Sequence, residues 1–305
     1  RHRQPETSLC ALGGIVVYNV RDDAHYDRAM YYTQRMIDYC IDQNDYPFPQ
    51  IKFTAQNRRN AGIGLLGAAT VLARKNLRYN DRAGLEEIHR MAERHMFFAI
   101  KNSIDLGEEF GNAGWINKTR WPEGWLPIDT ASPYIDEICN PGLQYDWEML
   151  RRRLIKNKGM RFSCLVAHMP TESSSKAAGA PNGWYPVREL SMAKSDSTNV
   201  IEWTAPESDL IGQNYQSAWT ITPEDMIRVY AVIQKFTDQG ISADIFLDRS
   251  KDTELSAVAL IKRINMMKKY GLKTHYYFNT KTSMDAFGAG AGGGGAKCGS
   301  GGCVL

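Results

Sequence analysis

Apolar residues in this chain gather either in short unbroken runs or in runs with a helical period, and the two patterns alternate along most of its length. Residues 9–20 are nearly continuously apolar and rich in Val, which predicts a strand buried on both faces. Asp22 or Asp23 then caps a helix with apolar positions Tyr26, Met30, Ile37 and Ile41, closed by Pro47 and Pro49. A further helix is predicted over 85–106, and residues 111–142, rich in Gly, Pro, Trp and Asn, read as irregular. Asp146 caps a helix that Gly159 terminates, and the apolar run 162–169, bounded by Gly159 and Pro170, reads as a buried strand leading into a short helix. Residues 185–193 and 200–204, joined by a turn at 195–199, read as a β-ribbon. Thr222-Pro223-Glu224-Asp225 carries a threonine cap, a proline in the first turn and two acids at the positive end, so it starts a helix, which runs to Gly240. A strand over 241–247, a helix over 253–270 stopped by Gly271, and a strand over 272–278 complete the series. Strands alternating with helices predict an α/β fold with a parallel sheet.

Composition narrows the function. The chain has 305 residues, 43% of them apolar, enough for a large core in one or two domains. Thirty-seven Lys and Arg against 34 Asp and Glu leave a net charge of +3, which argues against a nucleic-acid groove or an acidic membrane surface and leaves small phosphorylated ligands open. No window reaches the roughly 18 apolar residues of a membrane span; the nearest, 61–73, is short and broken by glycines. Arg1 to Arg3 followed by an apolar run copies a signal peptide superficially, but Glu6 and the missing small-residue cleavage site speak against one. The chain starts without Met, so its start is processed or it belongs to something larger. Four of six cysteines are scattered singly, which suits a reducing cytoplasm.

Several residues are candidates for chemistry. Pro170-Thr171-Glu172-Ser173-Ser174-Ser175 sits where a strand turns into a helix. There the unpaired N–H groups and positive dipole end hold a phosphate, with hydroxyls as extra donors; a simple serine cap is the other reading. Cys10 by itself reads as a small core residue, the usual fate of a lone cysteine, Cys40 reads as core, and Cys139 has no obvious partner. Gly62 and Gly64 read as close helix packing, because Gly-Ile-Gly without a third glycine and a preceding strand is no dinucleotide fingerprint. His89 and His95 are six apart on one helix, hence on different faces, and no metal site is expected. In an ordinary strand Tyr276 and Tyr277 would point to opposite faces, one ring buried and one exposed.

The glycine-dominated residues 287–302 carry Cys298, with Cys303 just beyond. Two thiols cannot complete a zinc site, whereas a dithiol on an arm with a typical reach of ~17–20 Å, and ~36–40 Å extended, suits disulfide exchange; incidental terminal cysteines are the alternative. Ser173 to Ser175 lack a G-x-S-x-G context, and the tail is no P-loop.

The segment DWEMLRRRLIKNKGMRFSCLVAHMPTESSS from Asp146, the step Leu9-Cys10-Ala11-Leu12, the stretches 56–65 and 126–130, and Lys273-Thr274-His275-Tyr276-Tyr277-Phe278-Asn279-Thr280 resemble the large subunit of class I ribonucleotide reductases. The resemblance runs from about Cys10 to Leu305. It implies the second half, about five parallel strands plus helices, of that family's ten-stranded α/β barrel over residues 1–286, and a flexible redox tail over 287–305. It implies reduction of ribonucleoside diphosphates by radical chemistry. Pro170, Thr171, Glu172, Ser173 and Ser174 would bind the substrate diphosphate, and Cys10, paired with a cysteine from an earlier strand, would reduce the ribose. Tyr276 and Tyr277 would relay an electron hole from the small subunit, moving a proton with each electron because a phenol of pKa near 10 is neutral at pH 7. Cys298 and Cys303 would re-reduce the active-site disulfide and be reduced in turn by thioredoxin or glutaredoxin.

The resemblance also implies what lies elsewhere. The radical cysteine, the other redox cysteine and the regulatory nucleotide sites belong to upstream sequence, and the di-iron tyrosyl radical to a small subunit. No cofactor bound by this chain itself is expected. A solitary half barrel leaves a strand edge and a sheet face uncovered, so the expected partner is an N-terminal half on a separate polypeptide. A non-catalytic remnant that binds the small subunit or a nucleotide is the alternative.

Overall fold

The computed structural model describes residues 6–195, 200–249 and 256–281. The helices are α1 (Asp23–Gln43), α2 (Pro49–Arg58), α3 (Ala68–Arg74), α4 (Arg82–Phe110), α5 (Tyr134–Ile138), α6 (Trp147–Asn157), α7 (Glu172–Ala177), α8 (Ser208–Ile211), α9 (Pro223–Gln234) and α10 (Ala257–Lys269). The strands are β1 (Ala11–Val16), β2 (Ala61–Leu66), β3 (Ser191–Ser195), β4 (Val200–Thr204), β5 (Ile245–Asp248) and β6 (Phe278–Lys281). The caps read from sequence are in place: Asp22 accepts from His25 N, Asp146 from Met149 N and Thr222 from Asp225 N, each filling one orphan donor of a first turn. The helix expected over 253–270 is α10, capped by Ser256 and followed by Gly271 at φ +72°.

β1 pairs with β2 and β5 with β6, both in parallel, while β3 and β4 form the antiparallel ribbon. Residues 163–168 are extended but form no regular strand. They meet β2 through Ala61 N–Cys164 O (3.0 Å) and Ile63 N–Leu165 O (2.8 Å), and the chain leading into β5 through Ser242 N–His168 O (2.8 Å). Parallel bridges Asn60–Cys164 and His168–Ile241 mark the same contacts. Extended segments at 11–16, 61–66, 163–168, 241–248 and 278–281 therefore lie side by side. Among the described residues the regular strands form two-stranded sheets, and this array of segments does not close.

Two expectations fail at its edge. The strand expected over 9–20 stops at Val16, where a 3-10 turn follows, and it is not buried on both faces: Leu12 is 60% exposed. The face toward α1 is covered, Gly13 lying against Thr33 and Ile37, and among the described residues β1 pairs along one edge alone, with β2. Cys40, expected in the core, is exposed near the end of α1.

Gly62 and Gly64 are not in a helix. They lie in β2, which is buried throughout. Ala61, Ile63 and Leu65 alternate with the glycines, and full burial of the latter two side chains contributes about 1.5–3 kcal/mol each. The glycines occupy the other face, where a Cβ at 62 would stand 2.8 Å from Cys10 Sγ and one at 64 would stand 2.8 Å from Met169 Sδ. Behind the sheet α4 packs on α1, α6 and α9, and its His95 bridges Tyr26 Oη (2.6 Å) and Ile63 O (3.0 Å). His89 and His95 are core residues whose burial lowers each pKa to about 4. Arg59, in the left-handed region at φ 49°, turns its buried guanidinium onto Asp38 (2.7 Å) and Asp42 (2.7 Å), and Arg161 reaches the same Asp38 oxygen at 2.8 Å.

Candidate active site

Cys10 precedes β1. Although the residue counts as exposed, its Sγ turns over Gly62 and donates to Gln239 Oε1 at 4.0 Å. The Gln239 carboxamide is itself held, its Nε2 donating to Ala61 O at 2.8 Å. Beside it Asp238 accepts from Leu165 N (2.9 Å) and Val166 N (2.7 Å), while Lys273 Nζ donates to Asp238 O (2.6 Å). Burial pushes the Asp238 carboxyl up to about 6 against these amide bonds. Desolvation first, and the Asp238 charge second, push the Cys10 thiol up to about 11. Cys164 is pushed up to about 12, by burial, then by Asp238 and Cys10. Thiols kept protonated at neutral pH are poor nucleophiles.

Cys164 is not positioned as the disulfide partner of Cys10. Ala11 pairs with Ala61 and Asn60 bridges Cys164, so the two cysteines flank Asn60. Two strand spacings separate them by roughly 9–10 Å, beyond the ~7 Å over which Cα atoms can be bridged. An open cleft of about 410 Å³ lies at the start of β1, lined by Leu9, Cys10, Leu12, Cys40, Tyr46 and Asn60 among others.

The turn after residue 169 is not a serine cap. Thr171 occupies the N-cap of α7 and makes no capping bond; its Oγ1 donates to Asn182 Oδ1 (3.0 Å) and accepts from Gly183 N (3.2 Å). Ser175 is buried, donating to Glu172 O, while Glu172, Ser173 and Ser174 are exposed. Their first-turn amides have no intrahelical acceptor. Pro170 is half-buried, and Asn182 Nδ2 ties down the Glu172 carboxylate at 3.0 Å.

Tyr276 and Tyr277 overturn the ordinary reading of adjacent strand residues. Their ring centroids are 3.8 Å apart and Tyr276 Oη donates to Tyr277 Oη at 2.9 Å. Both are partly exposed, at 38% and 52%. Burial, followed by the charges of Asp244, Tyr276 and Glu172, raises the pKa of the Tyr185 phenol, whose Oη donates to Ser242 O. Cys298 and Cys303 lie outside the described residues. Among those described, no three His, Cys, Asp or Glu side chains cluster as a metal site, and no helix is long and apolar enough to cross a membrane.

Residues 1–208 and 204–278 match the family model of the ribonucleotide reductase barrel domain. The chain belongs to that family. The ribonucleoside-diphosphate reductase subunit alpha of Haemophilus influenzae is 33% identical over 279 residues, 90% of this chain and 37% of that protein. Ribonucleoside-diphosphate reductase 1 subunit alpha of Escherichia coli is 35% identical over 244 residues, 79% of this chain and 32% of that protein. The Helicobacter pylori J99 subunit alpha is 29% identical over 281 residues, 91% and 35% respectively. This reductase barrel domain thus spans about a third of the length of these curated relatives.

Sequence reasoning on the barrel domain missed Asp238, Gln239 and Asp244. Each is a polar residue in or beside the stretch read as a buried strand, 241–247, and a polar side chain there needs a partner inside the fold. That was the available signal.

Proposed function

We propose that this chain is the C-terminal half of the catalytic barrel of a ribonucleoside-diphosphate reductase large subunit, reducing ribonucleoside to deoxyribonucleoside diphosphates. The observation that carries the reading is the phenol pair Tyr276–Tyr277, in ring contact and hydrogen-bonded at 2.9 Å on a partly exposed face. Such a pair passes an electron hole from one ring to the next, with the shared hydrogen bond as the route for the accompanying proton. A small subunit's di-iron tyrosyl radical would supply the hole, and Tyr276 and Tyr277 of this chain would convey it. Substrate diphosphate sits against Pro170, Thr171, Glu172, Ser173 and Ser174, where the free first-turn amides and hydroxyls donate to phosphate oxygens.

Cys10 supplies one of two thiols; each gives up one electron and one proton, the C2′–O bond of the ribose is reduced with loss of water, and a disulfide forms. Its partner thiol comes from a complementing N-terminal half, carried by a separate polypeptide or by the same longer one. Exposed apolar side chains support such a neighbour: Leu12 of β1 at 60%, and Tyr32 at 62%, Met36 at 69% and Tyr39 at 60% along one face of α1. Cys298 and Cys303, in the tail 287–305, then reduce the disulfide and are themselves reduced by thioredoxin or glutaredoxin.

The test is cytidine diphosphate reduction by this chain with the complementing half, a small subunit and thioredoxin. Turnover that Tyr277→Phe and Cys10→Ser each abolish supports the proposal. Turnover unaffected by either substitution sinks it.

A further inference from the structure

What holds two consecutive tyrosines on one side of a strand is legible in the backbone. Tyr276 N donates to Ala243 O (3.1 Å) and Ile245 N to Tyr277 O (2.8 Å). A regular parallel ladder would answer the first bond with Ile245 N to Tyr276 O. The observed pattern places both tyrosines opposite the single residue Asp244, which is a β-bulge just before β6. The extra residue cancels the usual alternation and brings the rings together. It also leaves Tyr277 N out of the ladder, and the Asp244 side chain takes it: Oδ1 accepts that N–H at 3.2 Å. Oδ2 accepts from Asn279 Nδ2 at 3.0 Å, and Asn279 Oδ1 accepts from Arg188 Nη2 at 2.7 Å. Asp244 is 4% exposed, and its own backbone oxygen accepts from Tyr230 Oη at 2.8 Å.

We propose that Asp244 is the positioning residue of the tyrosine pair, its carboxylate pinning the bulge that keeps the two phenols in contact. The polarity of the chain Arg188, Asn279, Asp244, Tyr277 admits a carboxylate and not an amide. Arg188 can only donate, so Asn279 presents its oxygen to Arg188 and its NH₂ to residue 244. Two donors then face residue 244, and asparagine there would answer one of them with its own NH₂. The bulged amide loses its acceptor, or Asn279 Nδ2 falls back on the longer contact to Ile245 O at 3.5 Å, and the bulge relaxes toward regular alternation, which separates the rings.

The consequence for turnover rests on the relay reading above, so the experiment reads geometry separately. Place 3-fluorotyrosine at 277 and record its ¹⁹F shift with Tyr or Phe at 276. The difference reports the phenol contact. Repeated with Asp244→Asn, this forms a double-mutant cycle. A difference reduced at least threefold by Asp244→Asn supports the proposal; an undiminished one overturns it. Should Asp244→Asn not fold, Asp244→Ser, whose short hydroxyl cannot bridge both the Tyr277 amide and Asn279, reads the same contact: a threefold reduction again supports the proposal and an undiminished difference again overturns it. Reductase turnover is then measured on the same variant. A fall of roughly 10- to 100-fold in kcat with KM unchanged extends the role to the relay, as expected for ~1 Å of misplacement. Lost contact with full turnover keeps the positioning role and removes the relay.

Discussion

Gly62→Ala separates the placement of the Cys10 thiol from the stability of the fold. The added methyl would stand 2.8 Å from Cys10 Sγ, 2.8 Å from Leu12 Cδ2 and 3.4 Å from Ala167 Cβ. Non-bonded heavy atoms rest about 3.5–4.0 Å apart, so the thiol and the leucine methyl must each retreat by roughly 0.7–1.2 Å. Both can do so cheaply, because Cys10 and Leu12 are exposed and Gly62 is not at positive φ. Replacing glycine also removes about 0.4–1 kcal/mol of unfolded-state entropy, offsetting the crowding and leaving stability within ~1 kcal/mol of the original. The thiol, however, leaves Gln239, and ~1 Å of displacement of a reacting group costs on the order of 100-fold in rate. The assay pairs urea unfolding of the chain with single-turnover deoxynucleotide formation in the complemented reductase. An unchanged rate would refute the placement of Cys10 over β2 as the functional one, and a loss of more than ~3 kcal/mol would refute the claim that its surroundings yield.

Iodoacetamide labelling of Cys10, followed by peptide mass spectrometry across pH, should show an apparent pKa of about 11, set by desolvation and Asp238; a value near the ordinary thiol range would contradict the inward-turned Sγ. Asp238, raised to about 6 in the fold, favours folding most below its unfolded pKa, and that contribution is lost as pH rises through about 6. Asp238→Asn should therefore flatten the stability profile between about pH 4 and 6, measured by denaturant midpoints, and an unaltered slope there would disprove the burial argument. Asp38→Ala strands the buried guanidinium of Arg59 and releases Arg161, so unfolding free energy should fall by about 3–5 kcal/mol, and a loss under ~1 kcal/mol would contradict the buried ion cluster. Replacing Cys298 and Cys303 by serine should abolish thioredoxin-driven turnover and spare a single dithiothreitol-driven reduction; equal loss in both assays would overturn the shuttle.

Where local chemistry decides the structure, the sequence can be read directly. The caps at Asp22, Asp146 and Thr222 each need one side-chain oxygen and a following turn, and all three stand where the pattern puts them. β2 escapes a local reading because a short apolar run has no period of its own, and its glycines are required by Cys10 and Met169 from other segments. The limits of β1 depend on what covers its far edge, which no local pattern records. At α7 the hydroxyl that could cap, Thr171, is taken by Asn182, 11 residues on. The tyrosine pair is visible as two letters. Its contact is not, because the bulge that creates it is set by Asp244, 33 residues before Tyr277.

The most direct measurement traps the oxidised product of one turnover. The complemented reductase is given cytidine diphosphate without external reductant and with Cys298 and Cys303 replaced by serine, and its disulfides are mapped by mass spectrometry. Cys10 should be recovered in a disulfide with a cysteine of the complementing half, formed in proportion to deoxycytidine diphosphate. Cys10 recovered as a free thiol beside product, or joined to Cys164, would contradict it.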